Sequence, residues 1–267
     1  MKMFQKIFRT KTGRRKIGLI LAAVLALIAV IGLFWTPYDP EAMSIVLKNG
    51  APSFAHPFGT DNYGRDVLSR VMAGLSTTFL ISASVVIIGA FLGTVIGLVT
   101  GYFGGLFDEI IMRVNDTLTA FPSILLALIF VSIMGSGKWN IILALGLLFI
   151  PSFARIMRGE VLKQKELEYV KNAKLMGAGF IRIIFVHILP NTKATLLPCI
   201  LVGFNNAVLA EAGMSYLGLG VQPPEASLGR MIAEAQGYLL LAPWTALAPG
   251  IIVILMIFAC SLAGEAD

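Results

Sequence analysis

Six long apolar stretches, over residues 17–35, 78–101, 110–134, 139–156, 194–217 and 245–262, constrain this chain more than any other feature. A helix crosses a hydrocarbon layer of roughly 30 Å with about 20 residues at about 1.5 Å each, so every stretch is long enough to span. Backbone N–H and C=O groups cannot stay unpaired in lipid, and none of the runs alternates polar and apolar residues as a barrel strand does. The expectation is an all-α polytopic membrane protein with six transmembrane helices.

With 57% of its residues hydrophobic, 13% charged and a mean hydropathy of +0.84, the chain lies outside the balance of a water-soluble domain. Six spans and their connections use up the 267 residues, which leaves no room for a sizeable soluble domain. The formal charge of +6 does not point to nucleic acid, because the Lys and Arg residues cluster at the ends of the apolar runs. Cys199 and Cys260 both lie in apolar surroundings, with no spacing of a metal site or redox pair, and read as packing residues.

Orientation follows from charge. A basic stretch (Lys2, Lys6, Arg9, Lys11, Arg14, Arg15, Lys16) precedes the first apolar run. That run outlasts the apolar core of a secretory signal, about 7–15 residues, and no small-x-small cleavage site follows it, so it reads as a first span over 17–35. A second basic segment holds Arg155, Arg158, Lys163, Lys165, Lys171, Lys174, Arg182 and Lys193. With six crossings both segments fall on one side, expected to be the cytoplasm, and only Lys48, Arg65, Arg70, Lys138 and Arg230 fall on the other. The expected organisation is a cytoplasmic tail over 1–16, the first span, an external loop over 36–77, and a five-helix core over 78–267 with a cytoplasmic loop at 157–193. The external segments 36–77 and 218–244 either cover the mouth of a pathway or are ordinary solvated connections.

Within the second run Gly89, Gly93, Gly97 and Gly101 recur every fourth residue and share one helix face. Association of helices in lipid leans on close van der Waals contact, so this face reads as a packing seam rather than a pore lining. Arg113 and Asp116 stand three apart on the third run and are expected to pair. Glu211, a carboxylate inside an apolar run, is expected to face a pathway.

The segment from Glu160 to Asn191 is too charged to span and too apolar to be a loose linker. Helix formers prevail up to Met176, Gly177 and Gly179 permit a turn, and Pro190 disfavours a helical residue before it, which predicts two short helices against the cytoplasmic face. The pattern on Lys171, Asn172, Ala173, Gly177, His187, Leu189 and Pro190 resembles the EAA loop of bacterial ABC importer permeases. Ala173, Gly177, Leu189 and Pro190 match it; Lys171, Asn172 and His187 depart from it. Three further stretches are similar to the dipeptide, oligopeptide and nickel branch of those permeases, and to its C-type subunit. They are Phe58-Gly-Thr-Asp-Asn-Tyr-Gly-Arg-Asp-Val-Leu-Ser-Arg70, Phe121-Pro122-Ser-Ile-Leu-Leu-Ala-Leu and Ser215-Tyr-Leu-Gly-Leu-Gly-Val-Gln-Pro-Pro224.

The resemblance implies a type I ABC importer permease fold in a bacterial inner membrane. It implies a second, related permease, two cytoplasmic ATPases that hold ATP and magnesium, and an external binding protein that delivers peptides, nickel or metal chelates. It assigns no cofactor, metal or nucleic acid to this chain. Under it, the small residues Ala173, Gly177 and Ala178 would seat the loop in a groove of an ATPase, while Lys171, Lys174 and Arg182 meet acidic groups on its rim. A basic amphipathic segment lying on anionic lipid is the competing reading of the loop.

Two other classes are open to test. No phosphate-binding loop is present, since Gly137-Lys138 is followed by Trp139, so energy comes from another chain or, in a gradient-driven secondary transporter, from an ion. Such a carrier calls for ionisable groups at mid-membrane, whereas Asp108, Glu109, Arg113 and Asp116 gather at the end of the third run. An intramembrane enzyme fares worse: His56 and His187 are expected in loops on opposite sides, and Gly213-Met-Ser215 is a weak echo of a serine motif without a basic partner.

Overall fold

The structure is a computed structural model that describes residues 11–264, with side chains from residue 13. Residues 1–10, with Lys2, Lys6 and Arg9 of the expected tail, and residues 265–267 lie outside the described residues. The described chain is helical, and its one antiparallel pairing is an isolated bridge between Thr60 and Asp66.

The helices are α1 (Lys11–Phe34), α2 (Val67–Phe103), α3 (Gly105–Thr119), α4 (Ser123–Met134), α5 (Lys138–Gln164), α6 (Glu168–Leu175), α7 (Phe180–Arg182), α8 (Lys193–Tyr216), α9 (Leu228–Ala235) and α10 (Trp244–Ala263). Five helical segments are long and apolar enough to cross a membrane, and α3 with α4 makes a sixth, bent by 87°.

Three boundaries differ from the apolar runs. The second span begins at Val67 rather than 78, so the segment expected as loop over 36–77 ends at Asp66. The cause is a polar start signal: Asp66 caps α2, its Oδ2 accepting from the Ser69 amide at 2.7 Å. The third run, expected as one span over 110–134, breaks at Ala120-Phe121-Pro122, where Pro122 has no amide to continue the ladder of α3. The fifth span does not begin after Pro190. α7, a π turn over Ile183–Ile188, a 3-10 turn over Leu189–Thr192 and α8 form one apolar segment from Phe180 to Tyr216. The missing N–H of Pro190 moves the hydrogen-bond ladder out of register without ending the helix. Of the two short helices expected against the membrane face, only α6 stands apart, and His187 lies within a helical turn rather than a loop.

α2 and α5 run parallel along the glycine face. A Cβ on Gly89 would lie 2.6 Å from Phe149 Cβ, on Gly93 2.6 Å from Phe153 Cβ, on Gly97 2.5 Å from the Ala154 carbonyl and on Gly101 2.8 Å from Val161 Cβ. The apolar core around this seam draws in α4 and α8 through Ala127, Val131, Ala207 and Met214. A second core joins α1, α2, α9 and α10 around Leu25, Leu75, Leu228 and Met256. Cys260 is buried and Cys199 half-buried, both as free thiols. The connections 35–66, 135–137 and 217–243 gather at one end of the bundle, here the Asp61 end, and the α2–α3 and α5–α7 connections at the other, the elbow end.

Candidate functional site

The elbow is built on a small core of its own. Val170 and Ala173 turn inward, 0% and 5% exposed, and Val170 packs with Leu98, Met157, Val161, Ile183, Ile184 and Ile188. α6 then ends in a double turn: the Ala178 amide donates to the Ala173 carbonyl at 3.0 Å and the Gly177 amide to the Lys174 carbonyl at 3.0 Å, with Gly177 at φ +78°. That left-handed position is what favours glycine here. Leu175 and Met176, 85% and 82% exposed, project from the tip. Lys171 lies 3.5 Å from Glu168, Asn172 is exposed, and Lys174 Nζ sits 5.3 Å from the centroid of the Tyr102 ring. Ala178 and Leu189 are half-buried against the elbow core, while Arg182 and Pro190 are exposed. The expectation that Ala173 is offered to a partner is therefore corrected: its small side chain lets α6 lie close to its own subunit, and the outward apolar groups are Leu175 and Met176.

Midway along the bundle, α4, α5 and α8 enclose an open cavity of about 560 Å³. Its walls are apolar apart from Ser123, Ser152, Asn206 and the Cys199 thiol, and among the described residues no carboxylate, ammonium or guanidinium lines it. A neighbouring hollow of about 340 Å³ shares Ser123, Leu148 and Ser152 and is floored by Phe121 and Pro122, at the break between α3 and α4. Composition could not reveal this chamber, because its walls are brought together from three separate helices.

Glu211 does not line either space. It is 0% exposed, and its Oε1 accepts from the Ser215 hydroxyl at 2.7 Å. The pathway position expected from the sequence is thus corrected: α9 folds over this part of α8 and seals the carboxyl group inside the subunit. Asp116 does not pair with Arg113 as expected; it accepts from Arg155 of α5 at 2.8 Å. Asp108 takes Arg158 through two bonds of 2.5 and 2.6 Å. Both contacts tie α3 to α5, because the polar face of α3 turns toward a neighbouring helix instead of along its own axis.

At the Asp61 end a set of charges is buried that the sequence showed only as scattered residues. Asp61 accepts from Arg65 Nε at 2.6 Å, and Glu234 of α9 accepts from Arg65 at 2.8 Å and Arg70 at 3.3 Å. Arg65 and Arg70 are 3% and 1% exposed, so these pairs are withdrawn from water. His56 Nδ1 lies 2.9 Å from Asp66, and Lys138 pairs with Glu225. The clue available in the sequence was the four-residue spacing of Asp61 with Arg65 and of Arg230 with Glu234.

A bundle of membrane-spanning helices, an open chamber between three of them and a projecting elbow fit a transport subunit, and similarity agrees. Residues 93–265 match the family described as binding-protein-dependent transport system inner membrane component. The chain belongs to this family. Over 255 residues, 93% of the chain and 86% of the relative, the permease is 35% identical to the dipeptide transport system permease protein DppC of Haemophilus influenzae. It is 40% identical over 261 residues to a putative peptide transport system permease protein of Brucella suis, covering 98% of the chain and 87% of the relative. It is 38% identical over 251 residues to the glutathione transport system permease protein GsiD of Pectobacterium atrosepticum, covering 92% and 83%. The permease is a multi-pass inner-membrane subunit of an ABC importer, a transport component and not an enzyme, and it works in a complex with other subunits. Membership does not favour a gradient-driven carrier.

Proposed function

We propose that this permease forms half of the translocation pathway of an ATP-driven peptide importer, with its elbow end in the cytoplasm. The basic residues of the 155–193 segment support that orientation. A second, related permease completes the pathway across the open side of the chamber, an external binding protein delivers cargo at the Asp61 end, and two ATPases, holding ATP and magnesium, dock at the elbow. Peptide is favoured over nickel or a metal chelate because the relatives compared above are named for dipeptide, peptide or glutathione transport. The chamber supports it further: it offers hydroxyl and amide groups to hydrogen-bond a peptide backbone but no carboxylate or imidazole to hold a metal.

One observation carries the coupling part of this reading. Leu175 and Met176 are almost fully exposed at the tip of a helix whose inward face is packed, so among the described residues nothing covers a tip that its own core anchors. Lys171, Lys174 and Arg182 are exposed on the same elbow and add positive charge near the apolar tip. Rigid-body movement of docked ATPases would then tilt the Phe180–Tyr216 segment and change access to the chamber.

The test is Met176→Asp, with Leu175→Asp beside it, in the assembled transporter. The ATPase subunits are expected to be lost on affinity purification while the two permeases stay together with unchanged melting. Full retention of the ATPases with undiminished ATP-dependent uptake would defeat the docking assignment. Uptake into vesicles by this chain alone under an ion gradient would defeat the whole reading.

A further inference from the structure

Glu211 is a charged-type side chain sealed inside a span, away from the chamber, and the importer mechanism above leaves it without a task. Its surroundings show an ordered pattern of donors. The Ser215 hydroxyl accepts from the Val221 amide at 3.2 Å, the Thr78 hydroxyl from the Leu228 amide at 3.2 Å, and the Ser227 hydroxyl from the Arg230 amide at 3.2 Å. A hydroxyl that accepts from an amide still has its one proton to give. Ser215 gives its proton to Glu211 Oε1, and the hydroxyls of Thr78 and Ser227 adjoin the same carboxyl group, whose Oε2 completes no hydrogen bond. All four residues are 0% exposed. A buried carboxyl oxygen without a partner is costly, and Thr78 and Ser227 are the hydroxyls placed beside it that can supply one.

The three hydroxyls belong to three different parts. Ser215 is on α8, Thr78 on α2, and Ser227 is the cap of α9. Backbone contact makes the joint tight: a Cβ on Gly229 would collide with the Ala212 carbonyl, and one on Gly220 with the Ser215 hydroxyl. α9 then reaches the outer segment through Glu234, which holds Arg65, and Arg70 of α2 meets the same carboxylate. α8 reaches the elbow, because the helical segment continues down to Phe180.

We propose that Glu211 is a positioning residue that makes the outer cap, residues 36–66 with α9, follow the movement of α8, so that the state of the elbow is felt at the outer mouth. The proposal rests on the importer reading and adds to it a site that no chamber or docking contact contains. The ion pairs at Glu234 are the second joint of the same linkage. Both joints are made of polar contacts with defined partners, which can exchange between two arrangements where a greasy contact would merely slide.

The experiment uses the complete transporter in nanodiscs with Glu211→Gln, Thr78→Val and Ser227→Ala variants of this chain. Four quantities are read: assembly, melting, basal ATP hydrolysis, and its stimulation by cargo-loaded binding protein. Assembly and basal hydrolysis are expected to hold, while stimulation falls about two- to thirty-fold, the range that mutations along a coupling route produce. A reporter dye at the exposed Val46 of the outer cap is expected to stop responding to nucleotide in the same variants. Stimulation and dye response at wild-type levels in Ser227→Ala and Thr78→Val overturn the proposal, even if Glu211→Gln does not assemble. So does a parallel fall in melting, basal and stimulated rates, which marks a purely structural joint. If the wild-type complex shows no ATP-driven uptake, the importer reading itself fails, and that outcome is distinct from both.

Discussion

Replacing Gly93 tests whether the α2–α5 seam is as tight as its geometry requires. An added Cβ would sit 2.6 Å from Phe153 Cβ, 2.7 Å from the Ile150 carbonyl and 2.9 Å from the Ala154 amide, all on α5. Two of these are backbone atoms that cannot rotate away, and carbon pairs rest at about 3.5–4.0 Å, so α5 must recede by about 1 Å. A gap of that size forfeits a quarter to a half of each well, about 0.1–0.2 kcal/mol deep. A few dozen pairs along the seam therefore lose about 2 kcal/mol together. Overpacking of tight interiors costs about 1–3 kcal/mol in general, which agrees. For a chain of this size about 2–4 °C accompanies each kcal/mol, so Gly93→Ala should melt roughly 4–8 °C lower. The assay is thermal melting of the purified complex followed by size-exclusion chromatography. Gly159→Ala is the control, since a Cβ there meets nothing within 4 Å. Gly93→Leu, which drives a whole side chain into α5, should prevent assembly. If Gly93→Ala melts with Gly159→Ala, the close approach of the two helices is wrong.

The ion pairs divide by burial. Glu234→Gln leaves the nearly inaccessible Arg65 and Arg70 with Asp61 as their one remaining shared carboxylate and should cost about 1–3 kcal/mol, seen as a fall in melting or as proteolysis of the 36–66 segment. Asp116→Asn removes a pair whose side chains are 54% and 59% exposed, and melting should not change measurably. Asp108→Asn lies between them: it breaks a two-bond pair to Arg158 and should loosen α3 by about 1–3 kcal/mol, with faster amide exchange over α3 as the readout.

The spans were legible because hydrophobic length is a strong signal that needs no knowledge of neighbours. The glycine face was legible for the same reason: a four-residue period puts Gly89, Gly93, Gly97 and Gly101 on one stripe whatever packs there, and the structure supplied only the partner, α5. The turn at Gly177 was legible because a left-handed backbone position selects glycine locally. The long start of α2 and the break at Pro122 were not. Hydropathy averages over polar caps such as Asp66, and it sums the residues either side of Pro122 into one run even though the chain turns by 87° there. The continuous passage through Pro190 was hidden because a proline ends a helix only when nothing else fixes the flanking turns. Here Ile183, Ile184 and Ile188 are pinned in the elbow core on one side and α8 is packed on the other.

The site residues failed in a more instructive way. The resemblance gives the small Ala173 a place in a partner groove and residue type gives the charged Glu211 a place in a pathway, yet both are turned into their own subunit. Residue type describes what a side chain can touch, whereas a non-local element decides what it does touch, and for Glu211 that element is α9, eight residues that no span prediction contains. The chamber shows the converse, since Ser123, Ser152 and Asn206 carry no signal strong enough to single them out in an apolar run. A passage that must release what it admits is better served by such weak hydrogen-bonding groups than by a buried charge, which would hold a cargo of opposite sign and reject one of the same sign. In this permease carboxyl groups accordingly sit where helices are fastened to each other, at Glu234, Asp108 and Glu211, and among the described residues none lines the chamber.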